Sequence, residues 1–145
     1  MFIHFFKKIQ YPSLPSVQKI YETCIEKARS SYYFDQCGVP DTLSGRLSVL
    51  MLQTLVQSSR LCDAGHQKSA QLLVDLFFMD IEQNLRQTPI GDLSIPKYMK
   101  KIKILWHGYQ DVWVQTGGIH KILINQDFFI VNDPEKFEKY FLNHI

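Results

Sequence analysis

The chain has 145 residues, a formal net charge of +2, 46% hydrophobic residues and 13% aromatic residues. A chain of this length fits one domain and buries roughly 70% of the surface that its unfolded form exposes, so it does not need disulfides or metals to build a core. A net charge this small excludes a protein whose whole surface binds nucleic acid, and we expect no DNA partner. Any basic surface must be local.

The cysteines and the apolar runs limit the class of protein further. Cys24, Cys37 and Cys62 stand at unrelated spacings, without a C-x-x-C pair or a zinc-type histidine partner. We therefore interpret all three as buried thiols of an intracellular protein. No run approaches the roughly 18 apolar residues of a membrane-spanning helix. Residues 1–8 lack the order of a signal or transit peptide, and we expect a bacterial cytoplasmic protein whose first residues pack on its own domain or touch a membrane surface.

In chain order, apolar spacing predicts a first amphipathic helix over residues 17–28, with Ser16 as its N-cap. Gly38 and Pro40 mark a turn, after which Asp41 or Thr42 can cap a helix over residues 43–62. A short break at residues 63–65 separates it from a helix over about residues 67–87. Both of these helices are apolar nearly all round, which predicts two adjacent, buried, central helices.

The second half of the chain continues the helical pattern. Residues 89–91 stop the central pair, Asp92 or Ser94 can cap a helix that holds one apolar face for about five turns, and Gly117-Gly118 ends it. A short helix is expected over residues 119–126. Residues 128–131 have strand-like composition but no partner strand, and Asp133 with Pro134 starts a last helix. We predict one all-α domain of about five to seven helices: an arm over residues 1–15, a core over 17–130 and a C-terminal helix over 133–145.

Candidate catalytic groups lie on the apolar helix but do not share a face. Asp75 and Asp80 are five residues apart, about 140° around a helix, and so do not converge on one site. We predict no catalytic, cofactor-binding or metal-binding residues. Asp80, with Asn84 one turn later, is expected to be architectural and to hydrogen-bond the loop at residues 91–94. The alternative is a small helical metal-dependent enzyme built on Asp75, Asp80 and His107.

A cluster of lysines opens the helix after residue 94. Lys97, Lys100, Lys101 and Lys103 are predicted to be exposed. Cations at a helix N-terminus oppose the macrodipole, so their placement gains nothing for helix stability. The cluster is either a solvated face or an electrostatic patch for anionic lipid, ribosomal RNA or an acidic partner, and a ribosome or RNA adaptor is a further alternative function.

Three segments, taken together, resemble the ubiquinol-cytochrome c chaperone family. They are residues 38–42 (GVPDT) with Gly45 and Arg46, residues 77–86 (FFMDIEQNLR), and residues 91–97 (GDLSIPK) followed by Lys100 and Lys101. Their order and spacing make the set specific, and the likeness spans roughly residues 17–125. The chain departs from the family pattern at Gln53, where a histidine is expected, and at Glu82, where an aspartate is usual.

The resemblance implies an all-helical domain without catalytic residues that assists assembly of the cytochrome bc1 complex by binding newly made cytochrome b. Mitochondrial members also associate with the ribosome, so a ribosome contact is a further implied partner. Bacterial members resemble this chain in lacking a targeting extension, which implies a cytoplasmic protein at the inner face of the inner membrane. We expect cytochrome b, or another membrane-protein client, to be bound at or beside a group of charged residues: Arg86, Asp92, Lys97, Lys100, Lys101 and Lys103.

Overall fold

A computed structural model describes residues 14–125, 127 and 129–145. This part of the chain forms seven α-helices and one 3-10 turn and contains no strand, which confirms the predicted all-α fold. The helices are α1 (Leu14–Ala28), α2 (Ser31–Asp35), α3 (Leu43–Asp63), α4 (Gln67–Arg86), α5 (Ile95–Thr116), α6 (His120–Ile124) and α7 (Pro134–His144), and the 3-10 turn is Asp92–Ser94. The predicted N-terminal arm lies almost wholly outside the described residues.

Several helix ends follow from local capping chemistry. Thr42 Oγ1 accepts a hydrogen bond from the backbone N–H of Gly45 at 3.1 Å and so caps α3. Asp133 Oδ1 accepts from the N–H of Lys136 at 3.0 Å, with Pro134 in the first turn of α7. Gly117 ends α5 in the left-handed region, at φ 71°. These ends agree with the sequence predictions.

Other helix ends differ from the predictions. Helix α1 already includes Leu14, so Ser16 lies inside the helix and is not its N-cap. Neither Asp92 nor Ser94 caps α5 through its side chain in the described structure, because the 3-10 turn over these residues runs directly into the helix. The short helix α2 was not predicted.

The core is built around α3 and α4. These two helices, joined by residues 64–66, share the most extensive helix–helix contact, and α1 packs against both. Val49, Leu52, Leu73 and Phe77 are completely buried between them. Two central buried helices are therefore present, as the apolar pattern predicted.

The C-terminal helix packs into this core through aromatic side chains. The ring of Phe137 on α7 lies 4.6 Å from that of Tyr33 on α2 and 5.2 Å from that of Phe129. All three side chains are fully buried. These contacts anchor the chain after α6 to the short helix α2.

All three cysteines are free, but only Cys24 and Cys37 are buried. The prediction of a third buried thiol was wrong, because Cys62 lies on the last turn of α3, where the helix leaves the core. Burial raises the pKa of Cys24 to about 12, so this thiol stays protonated at neutral pH. Among the described helices, none is long and apolar enough to cross a membrane.

Candidate functional site

A groove opens on one side of the molecule between α1, α3, α4 and α5. Its cavity volume is about 540 Å³, within the range of protein ligand sites. Leucine and isoleucine are the commonest residues in its walls, among them Leu47, Leu50, Ile81, Leu85 and Leu105. The leucines at 47, 50 and 105 are only half-buried, so apolar surface inside the groove remains open to an occupant.

Three cationic side chains line the groove: Arg29 in the turn after α1, Arg46 on α3 and Lys101 on α5. Arg46 Nε lies 2.5 Å from Oδ1 of Asp41, and this contact lowers the pKa of the carboxyl. Lys101 Nζ lies 5.9 Å from the centre of the Tyr98 ring, at the outer limit of a cation–π contact. The rim of an apolar groove is therefore positively charged.

Asp80 is the acidic residue of the groove lining, and its carboxylate has a partner on another helix. Oδ2 of Asp80 accepts a hydrogen bond of 2.6 Å from the hydroxyl of Tyr21 on α1. Burial, reinforced by the charge of Asp80, raises the pKa of Tyr21, so the phenol remains a neutral donor. The predicted hydrogen bond from Asp80 to the loop at residues 91–94 is absent from the described structure, because the carboxylate faces α1 instead. Asn84, which is exposed, also lines the groove.

The structure places the six residues predicted to bind a partner on α4, in the 3-10 turn and on α5. Lys101 lines the groove, whereas Lys97, Lys100 and Lys103 are exposed on α5 outside the lining. Arg86 Nη2 lies 3.1 Å from Oε1 of Glu82 on the outer surface of α4. The sixth, Asp92, is exposed in the 3-10 turn.

The three side chains of the alternative metal-dependent enzyme, Asp75, Asp80 and His107, do not come together as a metal site in the described structure. Asp75 accepts a hydrogen bond from Gln71 at 2.9 Å, and Asp80 accepts from Tyr21. His107 is exposed on α5. Within residues 14–125, 127 and 129–145, no three His, Cys, Asp or Glu side chains form a group that could hold a metal ion.

Each of the three family-like segments contributes at least one residue to the groove lining. Arg46 comes from the first segment, and Leu43 and Ser44 lie inside its span. The second segment contributes one turn and a half of α4, including Asp80 and Asn84, and the third contributes Lys101. The first and second segments, about 30 residues apart in sequence, thus contribute to one surface.

The sequence comparison agrees with this convergence. The family described as ubiquinol-cytochrome C chaperone matches residues 35–110, which is more than half of the chain. The chain belongs to this family. No curated protein and no solved structure matched it.

The part that matches the chaperone family contains α3, α4 and most of α5, and with them nearly the whole groove. All lining residues lie between residues 35 and 110 except Ile25 and Ala28 on α1 and Arg29 directly after it. The two departures from the family pattern lie elsewhere. Gln53 is buried in the core with Nε2 3.4 Å from the hydroxyl of Tyr33, and Glu82 pairs with Arg86.

The sequence reasoning did not predict the groove. The apolar pattern of α3 marks Leu47 and Leu50 in the same way as the fully buried Val49 and Leu52. One available signal was the polar series Asp80, Asn84, Thr88 at four-residue spacing, which runs beside the apolar pair Ile81 and Leu85. A boundary of this kind marks where a helix face passes from the core to solvent.

Proposed function

We propose that this member of the chaperone family assists biogenesis of the cytochrome bc1 complex by holding an apolar segment of newly made cytochrome b in the groove. The observation that carries the proposal is the convergence of the three family-like segments on the groove. With cytochrome b as the client, the protein works in the cytoplasm beside the bacterial inner membrane.

The shape and chemistry of the groove favour a helical segment as the occupant. An amphipathic or apolar helix docks in a groove through side chains one turn apart, each of which buries apolar area against the walls. Leu47 and Leu50 lie on one wall and Leu105 on another, which provides apolar surface on both sides of such a helix. Each side chain that is fully buried contributes roughly 1.5–3 kcal/mol.

The cations at the rim of the groove can determine the direction in which a client segment binds. A bound segment that carries a carboxylate at one end would be oriented by cations at the rim. Arg29 and Lys101, which form no ion pair within the described residues, are available to pair with such a carboxylate. Charge at the rim thus favours one direction of the bound segment and rejects a basic end.

A matched pair of leucines tests the groove. Leu43 lines it with 57% of its surface exposed, and Leu142 on α7 lies outside it with 54% exposed. We would express Leu43→Glu or Leu142→Glu in a strain that lacks the gene and measure membrane b-type haem, bc1 activity and co-purified cytochrome b. We expect Leu43→Glu to lower all three severalfold and Leu142→Glu to restore them to the level of the unaltered protein.

Two results from the same strains would contradict the proposal. Normal b-type haem and bc1 activity in the deletion strain would exclude the assembly function. A deletion defect that Leu43→Glu repairs as well as Leu142→Glu does would leave the function and reject the groove as its site. Circular dichroism of both purified variants establishes that each is folded before the comparison is made.

A further inference from the structure

An apolar side chain projects into solvent beside the lysine cluster. Leu93, in the 3-10 turn before α5, is 98% exposed. The stretch from residue 91 to residue 104 carries four lysines and one acidic residue, Asp92, so its local charge is +3. An exposed leucine beside a stretch with a net positive charge is the combination that interfacial membrane-binding segments use.

The lysines and a second apolar residue form one face of α5. Lys97, Lys100, Lys101 and Ile104 follow the i, i+3, i+4, i+7 spacing of neighbours on a helix surface. Ile104 is 61% exposed. Leu93 lies in the 3-10 turn that runs directly into α5, four residues before Lys97. We call Leu93, Lys97, Lys100, Lys101 and Ile104 the docking face.

The lysines of this face are free to bind an anion. Arg46 and Arg86 each pair with a carboxylate. By contrast, none of the four lysines between residues 97 and 103 forms a salt bridge with any residue that the structure describes. Lys97, in the first turn of α5, also opposes the helix dipole and so does not stabilise the helix.

We propose that the docking face binds the surface of a bilayer that contains anionic phospholipid. Lys97, Lys100 and Lys101 would pair with lipid phosphates, and Leu93 and Ile104 would enter the interfacial layer between the headgroups. Exposed aliphatic side chains favour a bilayer over RNA, because RNA surfaces are bound through phosphate contacts and aromatic or guanidinium stacking and offer no apolar layer for a leucine.

Docking in this way places the groove beside the membrane. Lys101 belongs to both the docking face and the groove lining, and Tyr98, between Lys97 and Lys101 in sequence, also lines the groove. A segment that leaves the bilayer would therefore meet the groove without crossing open water. The inference goes beyond the proposed function and is tested without any client, so either can fail while the other stands.

The test measures binding of the full chain to vesicles by sedimentation. One set of vesicles is phosphatidylcholine alone, and the other contains about 30% phosphatidylglycerol. We expect binding only to the second set, weakened by salt. Lys97→Glu with Lys100→Glu should reduce the partition coefficient at least about 30-fold, since each lysine near an anionic surface contributes about 1 kcal/mol. Leu93→Asn should reduce it about tenfold.

Matched variants elsewhere on the surface serve as controls. Lys121→Glu with Lys139→Glu makes the same change of charge on α6 and α7, and Leu142→Asn removes a leucine that is 54% exposed. Both should bind the anionic vesicles within about twofold of the unaltered chain. Circular dichroism confirms that every variant is folded.

Three results would overturn the proposal. The first is equal binding to neutral and anionic vesicles, and the second is equal loss of binding in the docking-face variants and their controls. The third is failure of the chain to bind either kind of vesicle. If the chain then binds purified ribosomal RNA, and Lys97→Glu with Lys100→Glu abolishes that binding, the lysines belong to an RNA contact.

Discussion

The hydroxyl of Tyr21 donates a hydrogen bond of 2.6 Å to Oδ2 of Asp80 and thereby joins α1 to the groove wall formed by α4. The two residues are 59 positions apart in sequence. Tyr21 lies outside the part of the chain that matches the chaperone family, whereas Asp80 lies inside it. The bond therefore fixes a helix from outside the matched region as one side of the groove.

Replacing Tyr21 by phenylalanine should destabilise the fold at neutral pH. The substitution keeps the ring and its packing but removes the donor that satisfies the half-buried Asp80 carboxylate, a loss of about 1–3 kcal/mol. Urea unfolding at pH 7 measures the free energy of unfolding of each variant. Tyr98→Phe is the control, because the hydroxyl of Tyr98 has no hydrogen-bond partner among the described residues. Equal stability of the two variants would show that the bond contributes nothing.

The same tyrosine predicts how stability depends on alkaline pH. Burial raises the pKa of Tyr21 in the folded chain above the ordinary value of about 10, so the folded state keeps a proton that the unfolded state releases. The stabilisation is fully present below pH 10 and is lost as pH rises beyond it, by up to about 1.4 kcal/mol per pH unit. Burial raises the pKa of Tyr109 to about 12, so this residue adds to the slope.

Unfolding free energies at pH 9, 10 and 11 test this dependence. The unaltered chain should lose stability steeply between pH 10 and 11, and Tyr21→Phe should lose less, because it lacks one of the groups that titrate differently in the two states. The unaltered chain and Tyr21→Phe have the same lysines, so the contribution of lysine titration to the pH dependence cancels when the two slopes are subtracted. Parallel slopes would contradict the raised pKa of Tyr21.

The helix ends that the sequence predicted correctly are those that depend on a few adjacent residues. Asp133 with Pro134, Thr42 before α3, and Gly117 after α5 act through local backbone geometry, which is visible in any short window of sequence. Helix α2 has only five residues, and its buried Tyr33 packs on Phe137 from the end of the chain. Its stability comes from contacts that no local pattern contains.

Exposure of the lysines was predictable, but the groove was not. The spacing of Ile95, Met99 and Ile102 identifies the buried face of α5, so the side chains opposite to it had to be exposed. The groove needs the relative positions of four helices, which depend on packing across the whole core. Asp80 is an example. The sequence places it on α4, but its hydrogen-bond partner, Tyr21, depends on how α1 packs against α4.

Phe137 should be essential for stability although it lies outside the family match. Its fully buried ring contacts those of Tyr33 and Phe129 and holds α7 against the core. Phe137→Ala should cost about 3–5 kcal/mol, the range for buried aromatic residues, and lower the midpoint of thermal unfolding accordingly. Leu142→Ala, on the exposed side of the same helix, should cost less than about 0.5 kcal/mol. Similar losses in both variants would mean that α7 does not pack as described.

Gly45 allows a sharp test of the turn that begins the groove wall. A Cβ atom at this position would overlap with the carbonyl oxygen of Pro40 and would lie 3.3 Å from Cγ1 of Val39. Because the first of these atoms belongs to the backbone, the turn must move to admit a methyl group. That movement would also disturb the bond from the Gly45 N–H to Thr42 that caps α3.

We expect Gly45→Ala to lose about 3 kcal/mol of unfolding free energy, the upper part of the range for overpacking. Gly91→Ala is the matched control, because Gly91 has φ −60° and no described atom lies within 4 Å of the point that an alanine methyl would occupy. That variant should stay within about 0.5 kcal/mol of the unaltered chain or gain slightly, since alanine restricts the unfolded state. Urea unfolding of both variants at pH 7 decides, and equal midpoints would refute the close approach of Gly45 to Pro40.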